Sequence, residues 1–252
     1  MRLRLRLLVL VAALLVGALA ASPSAAIVNG KPDTEHRYVG LLLAEFDDGL
    51  VPVCSGSLIR PTVFLTAAHC TAFIGDAPAF VSFDQNFSAS SQLVPGTAVQ
   101  NPAFDGLSFP DTHDVAVVLL HTPVTDRGFA LLPPSGLLEG LRKNRALTVV
   151  GYGAEAFAFG GGKPRPTFNL SRNFASARVT TLRSANARGF NIQLTGSSAR
   201  VCFGDSGGPV LLGNTDTVVG ITSFVRNDLC AGTAFAYRTD TASTLAFLTP
   251  FL

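Results

Sequence analysis

Tryptophan is absent from this 252-residue chain, methionine occurs once, and charged residues make up only 14%. With nearly half the residues apolar and no blocks of like charge, the composition excludes a disordered chain and gives no footing for a nucleic-acid partner. Cysteine is also scarce. The four, Cys54, Cys70, Cys202 and Cys230, offer no Cys-x-x-Cys, and no His-x-x-x-His exists, so no metal site and no cofactor is expected. Long hydrophobic runs are missing too. The longest, Leu7–Ala20, has 14 residues, short of the roughly 20 that span a bilayer.

That run has a different use. Arg2, Arg4 and Arg6 precede it and small residues follow through Ala26, the order of a secretory signal peptide. Residues 1–26 are therefore expected to be removed on export, with a rival cut after Ala20 leaving 21–26 as a short propeptide. The leader takes three arginines with it, so the formal charge of +2 falls by three to −1. The basicity belongs to the leader. A secreted product, free of the membrane and monomeric, is expected, and an even cysteine count in such a chain predicts two disulfides with three pairings open.

From residue 27 onward, short apolar segments alternate with Gly, Pro, Asn and Asp. Strands are predicted at Tyr38–Ala44, Ser55–Ile59, Val115–Leu120, Ala146–Val150, Asn191–Thr195, Pro209–Leu212 and Val218–Phe224, a pattern of all-β sandwiches and barrels. A C-terminal helix ending at Leu248 is expected behind Asp240 as its cap. Asp126–Gly140 reads as a connector between two halves, and Gly160–Pro166 as an irregular loop.

Three segments carry chemistry. In Leu65-Thr-Ala-Ala-His69-Cys70, a cysteine beside the histidine offers a covalent pin for a general base. In His113-Asp114-Val-Ala-Val-Val-Leu-Leu120, an aspartate opens an apolar strand, where an unpaired carboxylate is costly and an imidazole would satisfy it. Cys202-Phe-Gly-Asp-Ser206-Gly-Gly-Pro209 places a serine among glycines that let backbone N–H groups face a developing oxyanion. Gly204–Gly208 also fits the Gly-x-Ser-x-Gly elbow of α/β-hydrolases, but those enzymes carry their histidine after the serine, and here all four histidines precede Ser206.

Together with Ile27-Val-Asn-Gly30, these segments resemble the trypsin-like (chymotrypsin) serine protease family in order and spacing. The resemblance implies two six-stranded antiparallel β-barrels, about 27–130 and 131–252, within a protease domain 27–252. It implies a His69–Asp114–Ser206 triad, an oxyanion hole of the Gly204 and Ser206 N–H groups, and a pairing of the Ile27 α-amino group with Asp205. It also implies disulfides Cys54–Cys70 and Cys202–Cys230. Protein or peptide substrates follow, with protein inhibitors as further partners. Arg200, Ser223, Phe224 and Val225 fall where the family recognises the substrate. Arg200 replaces the acid of trypsins and Val225 a glycine, so a preference for Lys or Arg before the scissile bond is not expected. A non-catalytic homologue serving as a binding module is the alternative.

Overall fold

Buried and exposed residues alternate along Asn173–Thr181, where Ala175, Ala177 and Val179 face inward while Ser176 and Arg178 face solvent. This period of two marks a strand covering one side of a core. The structure, a computed structural model, describes residues 27–196 and 199–252; the expected leader lies outside them. In chain order the strands are β1 (Lys31–Pro32), β2 (Val39–Phe46), β3 (Gly49–Arg60), β4 (Val63–Thr66), β5 (Ala79–Ser82), β6 (Val94–Gln100) and β7 (Ala116–Leu120). After a connector come β8 (Ala146–Gly151), β9 (Ala156–Ala158), β10 (Arg165–Thr167), β11 (Asn173–Thr181), β12 (Asn191–Gly196), β13 (Pro209–Leu212), β14 (Val218–Val225) and β15 (Thr233–Arg238).

The first barrel closes in the order β2-β3-β4-β7-β6-β5, with β5 pairing back to β2. The second runs β11-β12-β15-β14-β13-β8 and closes through β8 on β11, while β1 extends its edge. Every pairing between these strands is antiparallel, a lone parallel bridge joining Leu131 to Thr217 outside them, and closure leaves few free strand edges. One apolar core fills the first barrel around Leu41, Leu43, Phe64 and Val117 and continues into Val150, Leu211, Ile221 and Tyr237 of the second. A separate core within the second barrel holds Ile27, Val149, Val179, Ile192 and Val210.

Among the described residues, two short α-helices complete the fold, α1 (Ala68–Ile74) and α2 (Ala242–Leu248). The cap of α2 is Thr241, whose side chain accepts from the Thr244 N–H; Asp240 instead receives Arg238 and the Leu138 N–H. The Gly160–Pro166 loop is irregular only in part, since Arg165 and Pro166 pair with Ala158 and Phe157 in a two-stranded ribbon. Among the described residues, no helix is long and apolar enough to cross a membrane.

Candidate active site

The carboxylate expected at the head of an apolar strand is buried. Asp114 has no exposure, and Val115–Val118 behind it are buried in the barrel. Three donors satisfy it: the His69 backbone N–H at 2.9 Å, His69 Nδ1 at 3.0 and 2.9 Å from its two oxygens, and the Ser223 hydroxyl. An imidazole that donates from Nδ1 to a carboxylate keeps Nε2 as the acceptor. His69 stands in the first turn of α1, just past β4, and Cys70 ties that turn to β3 through a disulfide with Cys54. The ligand atoms of Cys54, His69 and Cys70 lie within 4.8 Å of one another. Both sulfurs are spent in the disulfide, however, which leaves the imidazole as the one metal donor there.

The serine loop belongs to the second barrel and is fixed from the first. Ser206 O accepts the Ser55 N–H at 2.8 Å; Ser55 Oγ donates to Gly204 O at 2.8 Å and accepts the Tyr152 N–H at 2.9 Å. Gly207 donates to Thr222 O at 2.8 Å, and its φ of 80° is in the left-handed region. A β-carbon there would strike Thr66 Oγ1 and Ser55 O, so only glycine lets β3 and β4 approach the loop.

Asp205 is buried between the half-exposed Gly204 and Ser206. Its own N–H donates to Cys202 O, and its carboxylate accepts the N–H groups of Gly153 and Cys202, each at 2.8 Å. Burial pushes this carboxyl up to about 7, although those two hydrogen bonds act the other way. Among the described residues, the N–H groups of Gly204 and Ser206 have no hydrogen-bond partner. Ser206 Oγ has none within 3.5 Å either, while Ser206 and His69 line one cleft of about 530 Å³.

Comparison with known proteins decides the family. A family model described as Trypsin matches residues 27–245. The chain belongs to the trypsin family. Its curated relatives include bovine chymotrypsin-like elastase family member 1, 24% identical over 232 residues and covering 82% of each chain. Neutrophil elastase of Mus musculus is 25% identical over 230 residues, 88% of this chain and 81% of that one. Among solved structures, HL collagenase superposes with a TM-score of 0.70 at 23% identity, over 89% of this chain and 98% of that chain. Neuropsin of mouse brain gives 0.67 at 21%, over 89% and 100%. This trypsin-family chain is a serine endopeptidase with the two-barrel, chymotrypsin-like fold.

The walls of the cleft combine expected and unexpected residues. Ser223, Phe224 and Val225 line the cleft; Arg200 does not. Arg200 lies beside a separate void of about 10 Å³ with Cys230 and Gly232, its backbone N–H donating to Val28 O at 3.0 Å and its buried Nε without a hydrogen-bond partner among the described residues. Cys230, in a disulfide with Cys202, forms part of the wall around that void, whereas Cys202 lines the cleft. Phe224 stacks on the buried Phe235 with ring centres 4.6 Å apart and meets the exposed Phe109 edge-on at 5.7 Å. Past the serine loop, a second cavity of about 350 Å³ shares Cys54, Phe203 and Gly204 with the cleft and is further lined by Leu41, Tyr152, Phe168 and Leu170.

Sequence reasoning missed Ser55, the hub of the serine loop, whose place directly after Cys54 was its one visible sign. It also gave Ser223 to substrate binding alone, whereas its hydroxyl donates to Asp114.

Proposed function

We propose that this secreted endopeptidase cleaves peptide bonds through an acyl-enzyme formed on Ser206. His69 Nε2 takes the proton from Ser206 Oγ as that oxygen attacks the scissile carbonyl. Asp114 holds the Nδ1–H tautomer and stabilises the imidazolium. The N–H groups of Gly204 and Ser206 receive the oxyanion, His69 returns its proton to the leaving amine, and water, deprotonated in turn by His69, releases the acyl group. The observation that carries this reading is the pair of partnerless N–H groups opening on the cleft that His69 lines.

Export follows from the expected leader, and two disulfides among the described residues fit an oxidising compartment. For the residue before the scissile bond, we assign a small or medium aliphatic side chain. Val225 and Phe224 narrow the cleft, and none of its lining residues carries a carboxylate to meet Lys or Arg.

A fluorophosphonate should label the protein once, at Ser206. Ser206→Ala should abolish the label and lower the catalytic rate roughly 10⁴-fold or more. An adduct mapped to another residue would overturn the assignment. A peptide library then reads the subsite: strong cleavage after arginine contradicts the aliphatic reading, and cleavage after glutamate that is lost in Arg200→Ala would put Arg200 in the pocket instead.

A further inference from the structure

The near-neutral total charge conceals a strong separation. Residues 27–130 carry eleven acidic against four basic side chains, a net of −7; residues 131–252 carry six acidic against twelve basic, a net of +6. Buried Arg238 is paired with Glu139 at 2.9 Å and Asp240 at 2.8 Å, and buried Arg172 with Asp33 at 3.1 Å. Setting these pairs aside leaves ten basic side chains in the second half (12 − 2) against four acidic ones (6 − 2), of which Glu155 and Asp205 are buried. The field of the second half is therefore set by its arginines.

Four of these cations are held together by the fold. Arg142, Lys143 and Arg145 occupy the turn that leads into β8, and all three are exposed. Asn144, at φ 66°, donates its N–H to Val179 O at 2.8 Å, and Val179 donates to Arg145 O at 3.0 Å, so the turn is pinned to β11. Arg178 lies on the outward face of β11 and donates from Nη1 to Asn144 O at 3.1 Å, which places its guanidinium over the same turn. None of the four has an acidic partner within 4.0 Å among the described residues. Like charges gathered without counter-charge cost stability.

Beside Arg178 is a depression of about 350 Å³ bordered by Thr148, Ser176, Thr195 and Asn214. No aromatic ring among the described residues lines it, so there is no platform for stacking bases, and Leu147, the large apolar residue at its border, is buried and does not project to enter lipid. Hydroxyl and amide groups next to guanidinium groups match the hydroxyls and the sulfate or carboxylate groups of a sugar chain. We infer that this turn-and-strand surface binds a linear acidic polysaccharide.

The test uses the Ser206→Ala chain, so that neither proteolysis nor the reading of the active site enters. Binding to immobilised dextran sulfate should be present at near-physiological salt and fall steeply as salt rises. Replacing Arg142, Lys143, Arg145 and Arg178 by serine should weaken it roughly tenfold or more. Replacing Lys31, Lys163, Arg165 and Arg226 removes the same charge elsewhere and should change it little. The single substitution Lys143→Glu, exposed and without side-chain bonds, guards against a fold defect in the quadruple variant and should also weaken binding. Absence of binding, equal loss in the charge-matched control, or tighter binding to single-stranded DNA or anionic vesicles would overturn the inference.

Discussion

Ser55 is fully buried, and its hydroxyl both donates and accepts across the junction of the barrels. Alanine there would strand the buried Tyr152 N–H without a partner, at about 1–3 kcal/mol, and release the Gly204 carbonyl from its tether. The Gly204 carbonyl belongs to the peptide that presents Asp205 and Ser206, so the oxyanion N–H groups should lose their aim. We expect Ser55→Ala to lower kcat roughly tenfold or more with little change in KM, because a misdirected donor weakens transition-state binding more than ground-state binding. Steady-state kinetics on one peptide substrate measures both. A rise in KM at constant kcat would make Ser55 part of substrate binding instead.

Between elements, the corresponding device is Arg172, which enters β11 from the second barrel and is almost entirely buried. Its Nε donates to Asp33 at 3.1 Å, its Nη1 to Val39 O, Phe83 O and Tyr152 Oη, and its Nη2 to Gln85 Oε1. Burial alone would push the Asp33 carboxyl up; His36, by hydrogen bond and charge, and then Arg172 outweigh it and hold it below its ordinary value. The stability this contributes is present above that ordinary value and lost as the pH falls through the folded one. Arg172→Met would leave Asp33 buried against His36 alone and should cost about 3–5 kcal/mol in urea unfolding. Adding Asp33→Asn should recover part of that, because the two sites share one interaction. Apart from the bond to Tyr152, 20 positions away, these links join residues more than 80 positions apart, and nothing local in the sequence announces them. The segments of the proposed triad were legible for the opposite reason. Val115–Leu120 is a continuous apolar run because nearly all of it is buried, whereas β11, with small and polar residues in alternation, and β6, broken by Pro95 and Gly96, gave no run to read. Helix α1 escaped notice because it is seven residues long and has no side-chain cap.

At the scale of the whole molecule, the question is how the chain's beginning governs its far end. Ile27 is fully buried in the second core, and Val28 bridges to Arg200, so the start of the described chain already lies against the segment that leads to Ser206. In the uncut chain the Ile27 nitrogen is a peptide amide, and Asp205 then has only two backbone N–H groups to hold its charge. With its carboxyl raised from 3.8 to about 7, the folded state binds a proton that the unfolded chain has released. Stability must therefore fall as pH rises through that window, with the full penalty above it. Cleavage before Ile27 would free an ammonium for Asp205. The carboxyl would then drop below its ordinary value, and the dependence would reverse, with stability kept at neutral pH and lost on acidification. We propose this pairing as the step that completes the oxyanion loop. A chain that begins at Ile27 should hold or raise its Tm between pH 5 and pH 8, while one that keeps Ala26 should lose Tm over the same interval. The extended chain should also react with a fluorophosphonate roughly 10²-fold more slowly, as expected when an oxyanion donor is misplaced. Equal labelling rates and parallel Tm profiles in the two chains would dissociate Asp205 from the chain's N-terminus.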